Sequence, residues 1–227
     1  MLQKFMSYGY NGNDEQGEFM RKLLISLVLG SIILAGFSAC TSKPKPEAAV
    51  KVFLEAFKKG DETFDYDKMF DSEITFLDDV PLTNDDETPV EIQTRAEELL
   101  LNFEYEVVKA VVAEGGNTAV VTVKFTTVNM GDIFYKFFTT YITKAMEALF
   151  GGATEEEVTA MATDLFLEAS KDAKIDKLST VDIEMIFKDK VWLIKGGETN
   201  KIMFDALLGG MITVIEDMQE TQTPQAY

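Results

Sequence analysis

The stretch FEYEVVKAVVAEGGNTAVVTVKFT, residues 103–126, decides the fold of this chain. Its two halves alternate between apolar and polar side chains, which is the period of a half-buried β-strand. Between them lies Glu114-Gly115-Gly116-Asn117, and glycine and asparagine tolerate the positive φ angles of a tight turn. The pattern predicts an antiparallel hairpin, one face of which is formed by Phe103, Tyr105, Val107 and Val111 on the first strand and by Ala119, Val121, Val123 and Phe125 on the second.

A second hairpin is predicted nearer the C-terminus. Its first strand alternates apolar Val181, Ile183, Met185 and Phe187 with polar residues; the chain then turns at 188–190 and returns through 191–195. Between the two hairpins the apolar period becomes that of a helix over 131–150. After Gly151-Gly152, the sequence Thr154-Glu155-Glu156-Glu157 has the capping-box pattern that starts another helix. We therefore expect a helical hairpin inserted between the two β-hairpins.

Further helices flank this arrangement. The first begins at Pro46 and ends at Gly60, with an apolar stripe of Val50, Phe53, Leu54 and Phe57. Another helix follows Pro89 and runs to Leu101. The last begins at Asn200 and contains Gly209-Gly210, where glycine costs about 1 kcal/mol per residue relative to alanine. We infer a kink or a tight backbone contact at those two glycines.

The N-terminal part of the sequence has the features of an export signal. Met20-Arg21-Lys22 is followed by an apolar run over 23–36 and then by Phe37-Ser38-Ala39-Cys40. A basic start, a short apolar run and small residues at the end are typical of a secretory signal peptide. Cys40, the only cysteine, resembles the lipidated cysteine of a bacterial lipobox, although Phe37 stands where leucine is usual. The resemblance implies cleavage after Ala39 and diacylglycerol, with further acylation such as palmitate, on Cys40.

Two other interpretations of this segment stay open: an uncleaved anchor helix, or an ordinary signal that leaves a free thiol after Ala39. We interpret 1–19 as an over-long start or a disordered prefix, and 20–39 as the lipoprotein signal peptide. The lipidated cysteine and a linker then occupy 40–46. When it is extended, the linker reaches about 20 Å. The folded domain is expected over 47–218 and a flexible tail over 219–227.

Composition excludes several classes of function. The net charge is −18, and residues 1–39 contribute nothing to it. Such a domain repels nucleic acid, and it should not lie flat on an anionic membrane. Histidine is absent, which excludes histidine-activated nucleophiles and most transition-metal sites. No cofactor is predicted. The acidic loop 78–89 could bind calcium, but its spacing matches no EF-hand, and a solvated loop is the preferred interpretation.

Three segments of the domain resemble a known superfamily: PEAAVKVFLEAFKKGD at 46–61, KVWLI at 190–194 and DALLGGM at 205–211. They are similar to bacterial lipoproteins of unknown function that carry a nuclear transport factor 2-like domain. The resemblance implies a cystatin-like, cone-shaped α+β fold. In that fold a curved antiparallel sheet wraps an N-terminal helix, here with an inserted helical hairpin and a C-terminal helix. The shared segments are structural, so no active site is transferred.

The function we expect is a non-enzymatic binding module, lipid-anchored on the extracytoplasmic face of a bacterial membrane. Its partner would be a small apolar ligand or an envelope protein. Superfamily members often have a cavity within the cone, and four strand residues could line it here, although each could equally fill the core: Tyr105, Phe125, Met185 and Trp192.

Two alternatives belong to other classes. Some superfamily members are isomerases or dehydratases that use a pocket carboxylate and a tyrosine. In this chain the strand acids alternate outward, opposite the apolar face, which argues against catalysis: Glu104, Glu106, Asp182 and Glu184. The other alternative is a structural or scaffolding subunit of an envelope complex. Its apolar helix 133–150 would then pack on a membrane protein or a second copy.

Overall fold

The computed structural model describes residues 43–61, 63–74 and 88–222. Within them the chain is α+β, with one four-stranded antiparallel sheet in the order β1-β2-β3-β4. The elements are α1 (Pro46–Lys58), a 3₁₀ turn (Asp67–Met69), α2 (Val90–Leu101), β1 (Glu104–Val112), β2 (Thr118–Val128), α3 (Met130–Phe150), α4 (Glu155–Ser170), β3 (Ile175–Lys188), β4 (Val191–Ile194), α5 (Lys201–Leu207) and α6 (Met211–Gln222).

Several predictions fall on other parts of the chain. The signal segment with Ala39 and Cys40, the acidic loop up to residue 87 and the tail from 223 onward lie outside the described residues. Residues 219–222 of the predicted tail belong to α6. Among the described helices, none combines the length and the apolar character that crossing a bilayer requires.

Both predicted hairpins are confirmed, with one correction to the first. Tyr105 pairs with Phe125 and Val107 with Val123, as the alternation requires. A bulge at Val108 then shifts the register, and a single extra residue moves every later side chain to the opposite face. Val111 therefore pairs with Val120 and is 56 % exposed, so its predicted place on the apolar face is wrong.

The inner face of the sheet carries the hydrophobic core. Four residues near its centre are fully buried: Val121, Val123, Ile183 and Met185. Helix α1 packs on this face through Val50, Phe53 and Leu54. The Phe53 ring has aromatic neighbours from two other segments: Tyr66 and Phe70, which flank the 3₁₀ turn, at centroid distances of 6.0 Å and 5.5 Å, and Phe204 on α5 at 6.3 Å.

The C-terminal glycines end one helix and allow a tight contact. The predicted single helix is two, because α5 stops at Leu207 and α6 starts at Met211. Gly209 has φ of +58°, and a Cβ there would lie 1.9 Å from the Val128 carbonyl oxygen. The Gly131 N–H donates to the Gly209 carbonyl at 3.1 Å. The inferred backbone contact is confirmed, and it holds the α5–α6 connection against the junction between β2 and α3.

The helical hairpin between β2 and β3 is also confirmed. Helix α4 starts with the predicted capping box between Thr154 and Glu157. The Phe137 and Phe166 rings meet edge to face at 5.7 Å and join α3 to α4. Arg95 on α2 donates to the Ser170 carbonyl at 2.7 Å, which holds the last turn of α4.

Candidate functional site

The four predicted lining residues lie on the inner face of the sheet, one on each strand. Phe125, Met185 and Trp192 are 1 %, 0 % and 4 % exposed and belong to the hydrophobic core. The Phe125 ring lies 6.4 Å from that of Phe103, and the Trp192 ring lies 5.2 Å from that of Phe187. Tyr105 is only partly buried, on edge strand β1. The structure thus brings the four to one face, where three of them belong to the core and Tyr105 packs against it.

Tyr105 has a carboxylate partner that the sequence did not indicate. Its hydroxyl donates to Glu55 Oε1 at 2.6 Å, across fifty residues of chain. Burial, the hydrogen bond and the negative charge of Glu55 raise the pKa of Tyr105 to about 12. The raised pKa favours the protonated phenol, which donates this hydrogen bond to Glu55. The packing of α1 on β1 brings Tyr105 and Glu55 together. The Glu55 side chain is exposed to solvent.

The strand acids point outward, as predicted. Glu104, Glu106, Asp182 and Glu184 are all exposed. Glu106 lies 3.8 Å from Lys124, and Glu184 lies 2.8 Å from Lys195. The Thr122 hydroxyl donates to Asp182 on the same outer face. These carboxylates have solvent or cross-strand partners, and none of the four faces the core. The described part of the chain also contains no cluster of three or more acidic side chains arranged to hold a metal.

The most unusual apolar surface lies on α3. One side of this helix meets the rest of the fold through Ile133, Phe137 and Ala145. The adjoining side is lined by large apolar residues that the fold leaves partly open. Their exposed fractions are 51 % for Tyr135, 44 % for Ile142, 46 % for Met146, 40 % for Leu149 and 80 % for Phe150. We call this surface, together with the half-buried Phe138, the α3 stripe.

The sequence indicated this helix but not which half of it would be open. The aromatic content of 131–150 predicted a wide apolar arc, and a helix needs only about 100° of arc to face its core. The open half depends on where α4 and α6 pack, which is tertiary information. The comparisons with known protein families, curated proteins and solved structures found no match to this chain.

Proposed function

We propose that the chain is a membrane-anchored extracytoplasmic lipoprotein whose folded domain is a non-enzymatic protein-binding module. In this proposal Cys40 carries the lipid, and the sheet curves around α1 as in the nuclear transport factor 2-like cone. The observation that carries the binding role is the α3 stripe. The outward strand acids and the solvent-exposed Glu55 support a role without catalysis.

The size of the α3 stripe supports a docking role. Aromatic side chains bury about 150–250 Å² each, and the observed exposures leave on the order of 500 Å² of apolar surface open on α3. The largest apolar patch on a typical monomer is roughly 300–600 Å² and is often functional. The α3 stripe falls within that range and lies on a strongly acidic chain, so a partner that covers it would explain why it is open.

The partner that this stripe fits best is a second copy of the chain. The stripe is symmetric in sequence about Ile142, because Phe138 and Met146 each lie four residues away and Tyr135 and Leu149 each lie seven away. A two-fold axis needs a self-complementary surface. Two antiparallel α3 helices would therefore place Ile142 against its own copy, Phe138 against Met146 and Tyr135 against Leu149.

The charges on α3 also favour self-pairing. The helix carries two lysines and two acids, Lys136, Lys144, Asp132 and Glu147, so it is neutral in a chain of net charge −18. The repulsion expected between two acidic domains is therefore weakest at this surface. In the antiparallel pair, the end of the helix that carries Lys136 lies alongside the end of the partner that carries Glu147.

Sedimentation of the chain beginning at Thr41, which keeps every described residue, tests this pairing. We expect the mass to rise from monomer to dimer with concentration. Ile142→Glu should abolish the rise, because it places two like charges face to face on the axis. Ile202→Glu is the matched control, since Ile202 is also a helical isoleucine and is 58 % exposed. A monomer at every concentration, or equal loss in both variants, would contradict the proposal.

The anchor is tested separately in the full-length protein. We expect metabolic labelling with palmitate and partition into a detergent phase, both lost in Cys40→Ser. A Cys40→Ser protein that still labels and partitions would contradict the lipoprotein assignment. Small-ligand binding within the cone stays a prediction, since no contact among the described residues favours it over a filled core.

A further inference from the structure

The residues that precede α1 lie against one end of the sheet. The Trp192 indole N–H donates to the Pro44 carbonyl at 2.7 Å. Lys43 Nζ donates to the Gly116 carbonyl at 2.8 Å and to Asn117 Oδ1 at 3.1 Å, and lies 4.4 Å from the centre of the Phe187 ring. The chain therefore enters the domain at a defined place, between the β1–β2 turn and the β3–β4 turn. The predicted extended linker is, over residues 43–45, part of the fold.

This contact limits how far the domain can stand from the anchor. Cys40 precedes Lys43 by three residues, and an extended chain spans at most about 3.6 Å per residue. The Cα atoms of Cys40 and Lys43 are therefore no more than about 11 Å apart. If Cys40 is lipidated, as the proposed function requires, this end of the sheet must lie at the bilayer surface.

The same end has a different charge from the rest of the chain. Two acids occur in the two turns, Glu114 and Asp189, and Glu47 lies 4.0 Å from Lys45. The same end carries four exposed lysines, which belong to the linker and the β3–β4 turn: Lys43, Lys45, Lys188 and Lys190. The end is thus slightly basic in a chain of net charge −18. Three valines beside the turns, Val111, Val112 and Val191, are 46–56 % exposed.

We propose that this end, which we call the lysine end, docks on the anionic headgroups of the bilayer that holds the anchor. Lys45, Lys188 and Lys190 would contact lipid phosphates, and the three valines would lie at the interface. Strand β3 rises about 3.3 Å per residue, so its far end at Ile175 is on the order of 40 Å from Lys188. Charges separated by more than the Debye length of about 8 Å are screened. The acidic remainder of the domain therefore does not prevent docking as long as the domain stands upright.

The test uses the protein lipidated on Cys40, inserted in vesicles. Trp192 is the only tryptophan and lies at the lysine end. Quenching of its fluorescence by spin-labelled headgroups therefore reports the approach of this end to the membrane. We expect stronger quenching in vesicles containing phosphatidylglycerol than in pure phosphatidylcholine. A lysine near an anionic surface contributes about fivefold to binding, so Lys188→Gln with Lys190→Gln should lower the docking equilibrium constant about 25-fold.

The matched control is Lys171→Gln with Lys174→Gln, which removes the same charge from the connection between α4 and β3, beyond the opposite end of the sheet. The Trp192 fluorescence of this variant should be quenched to the same extent as that of the unmodified protein. Quenching that is independent of lipid charge and of the Lys188 and Lys190 changes would overturn the docking proposal while leaving the anchor intact. Failure of the protein to co-sediment with vesicles of either composition would show that the anchor itself is wrong, and the docking proposal would fall with it.

Discussion

Two regions of this molecule are rich in large apolar residues and differ in what covers them. The inner face of the sheet is closed by α1 and α5, and Val121, Val123 and Ile183 have no exposed surface. Helix α3 is covered on one side only, and Ile142 and Met146 of the α3 stripe keep nearly half of their surface in water. Hydrophobic burial therefore drives folding in the first region. In the second region, the same driving force is still available for association.

The largest effect should come from a matched pair of isoleucines, one in each region. Ile183→Ala should lower the free energy of unfolding by about 2–5 kcal/mol, because it leaves a cavity in a fully buried site. Ile142→Ala should change it by about 0.5 kcal/mol or less at concentrations where the chain is monomeric. Urea denaturation of the chain beginning at Thr41 measures both. Equal losses would show that the two regions do not differ as described.

The next largest loss of stability is expected at Gly209, in the connection between α5 and α6. Gly209→Ala combines a positive φ with a clash against the Val128 carbonyl, and we expect a loss of roughly 3 kcal/mol. Gly115→Ala is the control, since Gly115 has φ of +97° with no neighbouring atom within 4 Å, so only the backbone strain of about 1 kcal/mol applies. If the two variants melt alike, the contact between the α5–α6 connection and the junction of β2 with α3 is not tight.

The smallest effect concerns two tyrosine hydroxyls, that of Tyr66 in the core and that of Tyr105 at its margin. Tyr105→Phe loses the hydrogen bond to Glu55 and should cost about 1 kcal/mol. Tyr66→Phe should be neutral or slightly stabilising, because the buried Tyr66 hydroxyl has no hydrogen-bond partner among the described residues. Chemical denaturation at pH 7 distinguishes them, and a larger loss for Tyr66→Phe would contradict this assignment.

Tyr105 also predicts a pH dependence. Its pKa of about 12 lies above the ordinary value of 10.0, so the folded state holds the proton more tightly than the unfolded state. The stabilisation is therefore complete below about pH 10 and is lost as the pH rises toward 12. Tyr105→Phe should flatten the decline of stability over that interval, and a decline of unchanged steepness would count against the Tyr105–Glu55 pair.

Much of the fold could be predicted from local patterns. The alternation over 103–126 and the capping box at Thr154 indicated the hairpin and the helix that the structure contains, and Gly209-Gly210 indicated the backbone contact but not the division into two helices. The bulge at Val108 could not be predicted, because Val107 and Val108 fit a regular strand equally well and the register depends on β2. The Tyr105–Glu55 pair and the linker contact of Trp192 with Pro44 join residues 50 and 148 apart, so they depend on packing that no local pattern encodes.

The most direct test of the central claim, that α3 is an assembly surface, is disulfide formation at its centre. The chain beginning at Thr41 contains no cysteine, so Ile142→Cys introduces a single thiol. Helix axes 8–10 Å apart place two residues on the pair axis about 4–5 Å apart at Cα, which a disulfide can join. We predict a disulfide-linked dimer for Ile142→Cys and none for Ile202→Cys under the same oxidation. Monomer from Ile142→Cys, or equal cross-linking of both variants, would contradict the account.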